Sequence, residues 1–155
     1  MNFFGKTGVK MKIIIGNDHG AVELKQRIVK HLEKKGFEVK NIGVDNGDSV
    51  DYPDIAEAAC KKYLAGGYDF GIVCCGTGIG ISISANKIDG IRCSLPQDCF
   101  ASEMTRKHNN PNFIAFGGRI EYKESIEDML DSFFDNEFEG GRHQIRVDKI
   151  MGLES

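Results

Sequence analysis

Cys74 and Cys75 stand side by side ahead of a glycine-studded turn, in CCGTGIGISISANK over residues 74–87. Sulfur beside glycine admits four chemistries: a metal ligand, a redox pair, a nucleotide loop, or a group aimed at a substrate. The five cysteines, at 60, 74, 75, 93 and 99, form no CxxC, and the chain holds no CxxH and no HxxxH. Zinc spacing and a resolving thiol are therefore absent. Three of the five cysteines are expected to lie inert in the core as small hydrophobes. A dinucleotide GxGxxG begun at Gly76 would need glycine where Ile81 stands, and GKT at 5–7 lacks the upstream glycine of a phosphate loop. What remains is a thiol at the mouth of an anion hole. Strand alternation sends Cys74 and Cys75 to opposite faces, and Cys75 abuts the turn. The N–H groups from Gly76 through Gly80 could hold an oxyanion, and the helix end they open stabilises a thiolate. A buried strand cysteine next to a structural turn would read the same way.

Other reactive types fall at similar punctuation points. Asp18 and His19 follow the apolar run IIIGN; Asp18 would also serve as the cap of a helix starting near Ala21. Thr77 could face a substrate or cap the helix at 79. His108 closes a helical pattern just before Pro111, where an imidazole is also simply a favourable cation. Arg142 and Arg146 lie four apart, so on a helical turn they share a face and could grip a dianion together. A solvated basic tail has the same spacing. His31, within KQRIVKHLEKK, is expected to be solvated.

These residues need elements to hold them. A chain of 155 residues, 41% hydrophobic, is one domain's worth and can bury a proper core. Short β-rich runs at 12–17, 37–43, 70–75, 91–95 and 112–118 alternate with helical patterns at about 20–35, 54–65, 79–87, 98–108 and 122–136. That alternation predicts an α/β, three-layer Rossmann-like domain with a five-stranded parallel sheet. Ligands of such sheets collect at the carboxyl ends of the strands. Asp18 and His19, the polar loop 43–53, Cys75 with Thr77, Asp98 and Arg119 all fall on that rim. Residues 1–10 form an N-terminal extension before the first strand, and 11–155 one domain whose last part, 139–155, follows Gly140-Gly141 as a short arm with a final helical turn or two. Net charge is −3 with both signs interspersed, which argues against nucleic acid. No apolar run reaches membrane-spanning length and none resembles a secretory leader, so a cytoplasmic location is expected.

Taken together, the GTGIG turn with ISISANK, Asp18-His19, DYPD, KHNN ahead of NFIAFGGR, and EGGRHQIR resemble ribose-5-phosphate isomerase type B. That is one branch of a family that also includes galactose-6-phosphate and allose-6-phosphate isomerases. The likeness runs from about Met11 to about Met151. It implies interconversion of ribose 5-phosphate and ribulose 5-phosphate through an enediolate, without cofactor or metal. By the same resemblance Cys75 is the base, Thr77 lies near the thiol, and the amides of Gly76, Gly78 and Gly80 form the anion hole. His108 would open the sugar ring, Asn109 would hold substrate, Asp18 would contact sugar hydroxyls and His19 would lie toward the phosphate. Tyr52 is a weaker contact; Arg119, Arg142, His143 and Arg146 resemble the phosphate clamp. The family's homodimers share their sites, some pairing into tetramers, and the arm is expected to enter the partner's site. A six-carbon sugar phosphate and a non-catalytic sugar-phosphate-binding module remain the competing readings.

Overall fold

Ile13, Ile14 and Ile15 are three β-branched residues in a row, and a strand covered on both faces is where such a run fits. In a computed structural model describing residues 8–155, all three are fully buried in β1, Lys12–Asn17. Of the expected N-terminal extension, residues 1–7 lie outside the described residues. The other strands are β2 (Glu38–Asn41), β3 (Phe70–Cys75), β4 (Cys93–Ser94) and β5 (Phe113–Gly117). These five strands pair in parallel, in the order β2-β1-β3-β5-β4. The anticipated α/β fold with a five-stranded parallel sheet is the one observed.

Among the described residues, six α-helices complete it: α1 (Val22–Lys34), α2 (Tyr52–Leu64), α3 (Ile79–Asn86), α4 (Cys99–Asn109), α5 (Ile126–Phe134) and α6 (Arg142–Met151). One core layer joins Ile13, Ile15, Ile72, Cys74 and Phe116 to α1 and α5; the other joins Ile14, Val73, Cys75 and Ala115 to α2 and α3. Because the chain leaves β1 toward β2 but leaves β3 toward β5 and β4, the winding reverses between β1 and β3. A crevice forms at such a switch point, outside the carboxyl ends of the two strands.

Boundaries moved where pairing or capping decided them. Each edge strand has one neighbour only, so β2 and β4 are shorter than the expected 37–43 and 91–95. α2 starts at Tyr52 rather than 54, with Pro53 in its first turn presetting φ. Ser125 caps α5 by accepting from the Asp128 N–H at 3.0 Å, which delays its start beyond 122. The arm holds more helix than expected: α6 runs ten residues and buries His143 and Val147, four apart, against the body of the chain. His31 is not simply solvated; its Nε2 lies 2.7 Å from Asp131 Oδ1, joining α1 to α5. No described helix is long and apolar enough to cross a membrane.

Candidate active site

The strand β3 ends on sulfur and a glycine turn. Strand alternation carries Cys74 into the α1/α5 layer and Cys75 into the α2/α3 layer, as the pleat requires. Burial pushes the thiols of Cys60 (to about 12), Cys74 and Cys93 up, so those stay protonated. Cys75 is 4% exposed and has one feature beyond burial: its Sγ accepts the Gly78 N–H at 3.2 Å. Gly78 takes φ +77°, and a Cβ there would lie 2.7 Å from the Phe116 carbonyl carbon, so both its torsion and its packing demand glycine. The Gly78 amide is thus committed to the sulfur rather than free for an oxyanion. Thr77 is not the cap, which is Gly78; its Oγ1 accepts the Ile79 N–H at 3.2 Å from the position before the cap, with its side chain still exposed at the mouth. Gly80 and the residue after it sit in the first turn of α3, where no helical carbonyl precedes their N–H groups.

Across the crevice, the buried Asp18 receives the Gly20 N–H on Oδ1 at 2.8 Å and caps the 3-10 turn His19–Ala21 leading into α1. A Cβ on Gly20 would stand 3.0 Å from the Gly76 nitrogen, so the two loops touch through bare backbone. His19 Nδ1 accepts the Val50 N–H at 3.2 Å, which leaves Nε2 as the ring's other site for a proton. Tyr52, from the start of α2, lays its ring over Gly80, where a Cβ would meet the ring at 2.6 Å. Arg119 follows β5, is exposed, and donates its N–H to the Gly76 carbonyl at 2.9 Å. Asp18, His19, Tyr52, Cys75, Gly76, Thr77, Gly78, Gly80 and Arg119 therefore gather on one rim.

The remaining candidates gather elsewhere. α4 leaves the carboxyl rim at Cys99 and comes back to the amino rim, where Asn109 precedes β5. Phe113 pairs with Gly71 while Gly117 pairs with Cys75, so the two rims are about 13 Å apart along the strands. His108 and the exposed Asn109 stand at the amino rim, with His143 of α6 stacked on His108 at 4.1 Å between centroids and 9° between planes. Burial, followed by His108 and Arg142, holds the His143 imidazole below its usual range, while Glu139 opposes them. Arg142 and Arg146 project from α6 into solvent. Among the described residues, His108, Glu139 and His143 also have the ligand atoms to hold a metal ion.

Several supporting residues escaped the linear reading. Lys25 is buried on α1, and its Nζ reaches Val44 O at 3.0 Å, Asn41 Oδ1 at 3.3 Å and the Asp45 carboxylate. Tyr122 Oη accepts the Gly117 N–H at 2.9 Å behind the glycine turn. Neither carries a motif; a lysine on an otherwise apolar helix face was the one visible signal, since Lys25 adjoins Leu24 and precedes Ile28. Glu139, four before His143, was visible within EGGRH only as a charge.

Comparison with known proteins gives one answer over nearly the whole chain. The family described as Ribose/Galactose Isomerase matches residues 13–150. Ribose-5-phosphate isomerase B of Escherichia coli (strain K12) is 40% identical over 143 residues, covering 92% of this chain and 96% of the relative. D-erythrulose-4-phosphate isomerase of Pectobacterium atrosepticum is 38% identical over 141 residues, 90% of this chain and 93% of that one. The solved structure of ribose-5-phosphate isomerase B from Clostridium thermocellum superposes with a TM-score of 0.88 at 43% identity, covering 92% of this chain and 97% of that one.

Proposed function

The chain belongs to the ribose/galactose isomerase family, and from that premise we propose that it interconverts ribose 5-phosphate and ribulose 5-phosphate. Residues 11–155 act as one isomerase domain, with 139–155 as its arm. The observation that carries this reading is the Gly78 N–H aimed at Cys75 Sγ at the switch point of the sheet. An N–H on sulfur favours the anionic form, and a thiolate can take the C2 proton of an open-chain aldose. The electron pair of that C–H bond becomes the C1–C2 double bond of an enediolate, whose charge falls on O1. The O2 hydroxyl proton passes to O1 and leaves the charge on O2; that charge forms the C2 carbonyl as the C1–C2 pair takes the proton back from Cys75 at C1, which completes the ketose. First-turn amides of α3 face the developing oxyanion, Asp18 orders the hydroxyls, and Tyr52 walls the pocket.

His108 supplies the proton that opens the furanose, at the ring oxygen. Its own Cys75 is a sheet-length away, so the ring-opening group and the thiol of one site come from different chains. A second copy presents His108, Asn109, His143, Arg142 and Arg146 to the rim that holds Cys75 and Arg119. The homodimer is then a condition of catalysis, and the arginines clamp the phosphate from across the interface.

The test is a coupled assay on the untagged protein with ribose 5-phosphate and excess chelator. Ribulose 5-phosphate should form at the enzyme's full rate. Turnover of allose 6-phosphate or galactose 6-phosphate in preference would move the substrate to six carbons. No turnover of any of these would leave a binding module and sink the reading.

A further inference from the structure

We propose that His108, Glu139 and His143 form a binding site for Zn2+, and that metal held there takes His108 out of the isomerase reaction. The second clause rests on the ring-opening role given to His108 above; the first stands on geometry alone. The three side chains offer one ligand atom each, all within 4.8 Å of one another. Two imidazoles and a carboxylate suit a borderline metal such as zinc, whereas calcium and magnesium prefer oxygen throughout. Zinc bonds of about 2.0–2.1 Å in a tetrahedron set ligand atoms about 3.3 Å apart. His143 Nε2 and Glu139 Oε2 already stand 3.5 Å apart, long for a hydrogen bond and right for two ligands of one ion.

Backbone holds the frame. The Glu139 N–H donates to Lys107 O at 3.0 Å, which ties the arm to the residue next to His108. The His143 N–H donates to Gly140 O at 3.0 Å, across two glycines with φ of +66° and +55° that turn the arm back on itself. His143 is buried while Glu139 is exposed, so a rigid ligand is paired with one free to swing inward. His108 must give up its stacked position by a ring rotation to aim a nitrogen at the ion. Arg142 and Arg146, both exposed, oppose a cation and the Glu139 carboxylate offsets them; the Lys107 ammonium is already paired with Glu103. Three protein ligands leave a fourth position for water. A bound ion occupies the lone pair His108 needs to carry a proton, and fastens the arm to its own chain.

Cobalt reports such a site directly. Titrating untagged apoprotein with Co2+ should raise visible bands of tetrahedral intensity, which Zn2+ abolishes by displacement. In Glu139→Gln the affinity should fall at least roughly tenfold, with metal-free isomerase activity kept. Zn2+ should inhibit the wild type reversibly, relieved by chelator, and Glu139→Gln should need roughly tenfold more zinc for the same inhibition. Proton NMR of the His108 ring should shift on zinc addition and cease to titrate, a readout that needs no turnover. Absence of the visible bands overturns the site, as does equal affinity in Glu139→Gln. A near-ultraviolet thiolate-to-cobalt band would put the metal on cysteine and also overturn it. Metal binding with an unmoved His108 signal overturns the inhibitory clause. A protein that binds cobalt as described yet isomerises nothing without metal would strike the isomerase reading and leave the metal site standing.

Discussion

At position 75 a thiol meets the N–H of a glycine turn at the rim; at position 74 it is fully buried in the core, against the Phe116 backbone of the next strand. The difference is one step of strand pleat, and it separates a candidate base from a packing atom. Cys75→Ala removes the proposed proton carrier and leaves the path of the glycine turn intact, since Gly78 is held by its torsion and by β5. Isomerisation should fall by roughly 10²–10⁴-fold, the usual worth of a positioned acid–base group, and the Gly78 N–H left without its acceptor should cost about 1–3 kcal/mol of stability. Cys74→Ala should spare catalysis. It trims a fully buried side chain and should cost about 1 kcal/mol, or roughly 2–4 °C in a domain of this size, with kcat nearly unchanged. Steady-state kinetics beside thermal melts decide it. A dead Cys74→Ala enzyme that still folds would mean the facing of the two sulfurs is wrong.

The segment between β2 and α2 has no regular structure, yet both of its ends are fastened. Lys25 of α1 holds Asn41, Val44 and Asp45, and Val50 at the far end holds His19. The Lys25 ammonium, with Asn41, keeps the Asp45 carboxyl below its usual range. A carboxyl whose folded pKa is depressed contributes stability that is complete above its unfolded pKa and is lost as pH falls through the folded one, so at neutral pH the latch is fully engaged. Lys25→Met should preserve helix packing but take one donor from Val44 O, which keeps Asn17 Nδ2, and one from Asn41 Oδ1, which keeps the Gly43 N–H, at about 0.5–1.5 kcal/mol for each bond lost. Amide exchange across 43–50 should quicken. If His19 lies toward the phosphate, KM should rise severalfold with a smaller change in kcat. Unchanged exchange in that loop would show that the latch does not order it.

On the scale of the whole molecule, the candidate residues form two half-sites on opposite rims. The carboxyl rim has thiol, carboxylate and glycine turn; the amino rim has His108, Asn109 and the arm. A second copy that brings the halves together predicts complementation. Cys75→Ala and His108→Ala homodimers should each be inactive. After subunit exchange, half the molecules are heterodimers, each with one intact site of two, so activity should return to about a quarter of wild type. Arg142→Ala/Arg146→Ala in place of His108→Ala should complement in the same way. A mixture that stays inactive despite exchange shown by native mass spectrometry would refute the shared site.

Periodicity and glycine placement alone determined the sheet, its parallel winding and the rim on which Asp18, Cys75 and Arg119 meet. The strands at 12–17 and 70–75 stand where their apolar runs put them, because a central strand needs covering on both faces and its composition records that. Asp18 as a cap was legible, since a cap is a local bond between near neighbours, whereas the cap of α3 fell to Gly78 rather than Thr77 because the turn needs positive φ there. What tertiary structure decided is long-range. The Lys25 latch spans 16 to 20 residues, and the bonds that make it leave no local signature. His31 pairs with Asp131 a hundred residues away, which helix spacing could not foresee. α6 outgrew the helical turn or two expected of it because docking on α4 buries His143 and Val147, and tertiary burial stabilises a helix that propensity alone leaves marginal. Most consequential is the distance from His108 to its own Cys75. One helix carries the chain from one rim of the sheet to the other, so two residues proposed to serve one reaction lie a sheet-length apart within one chain.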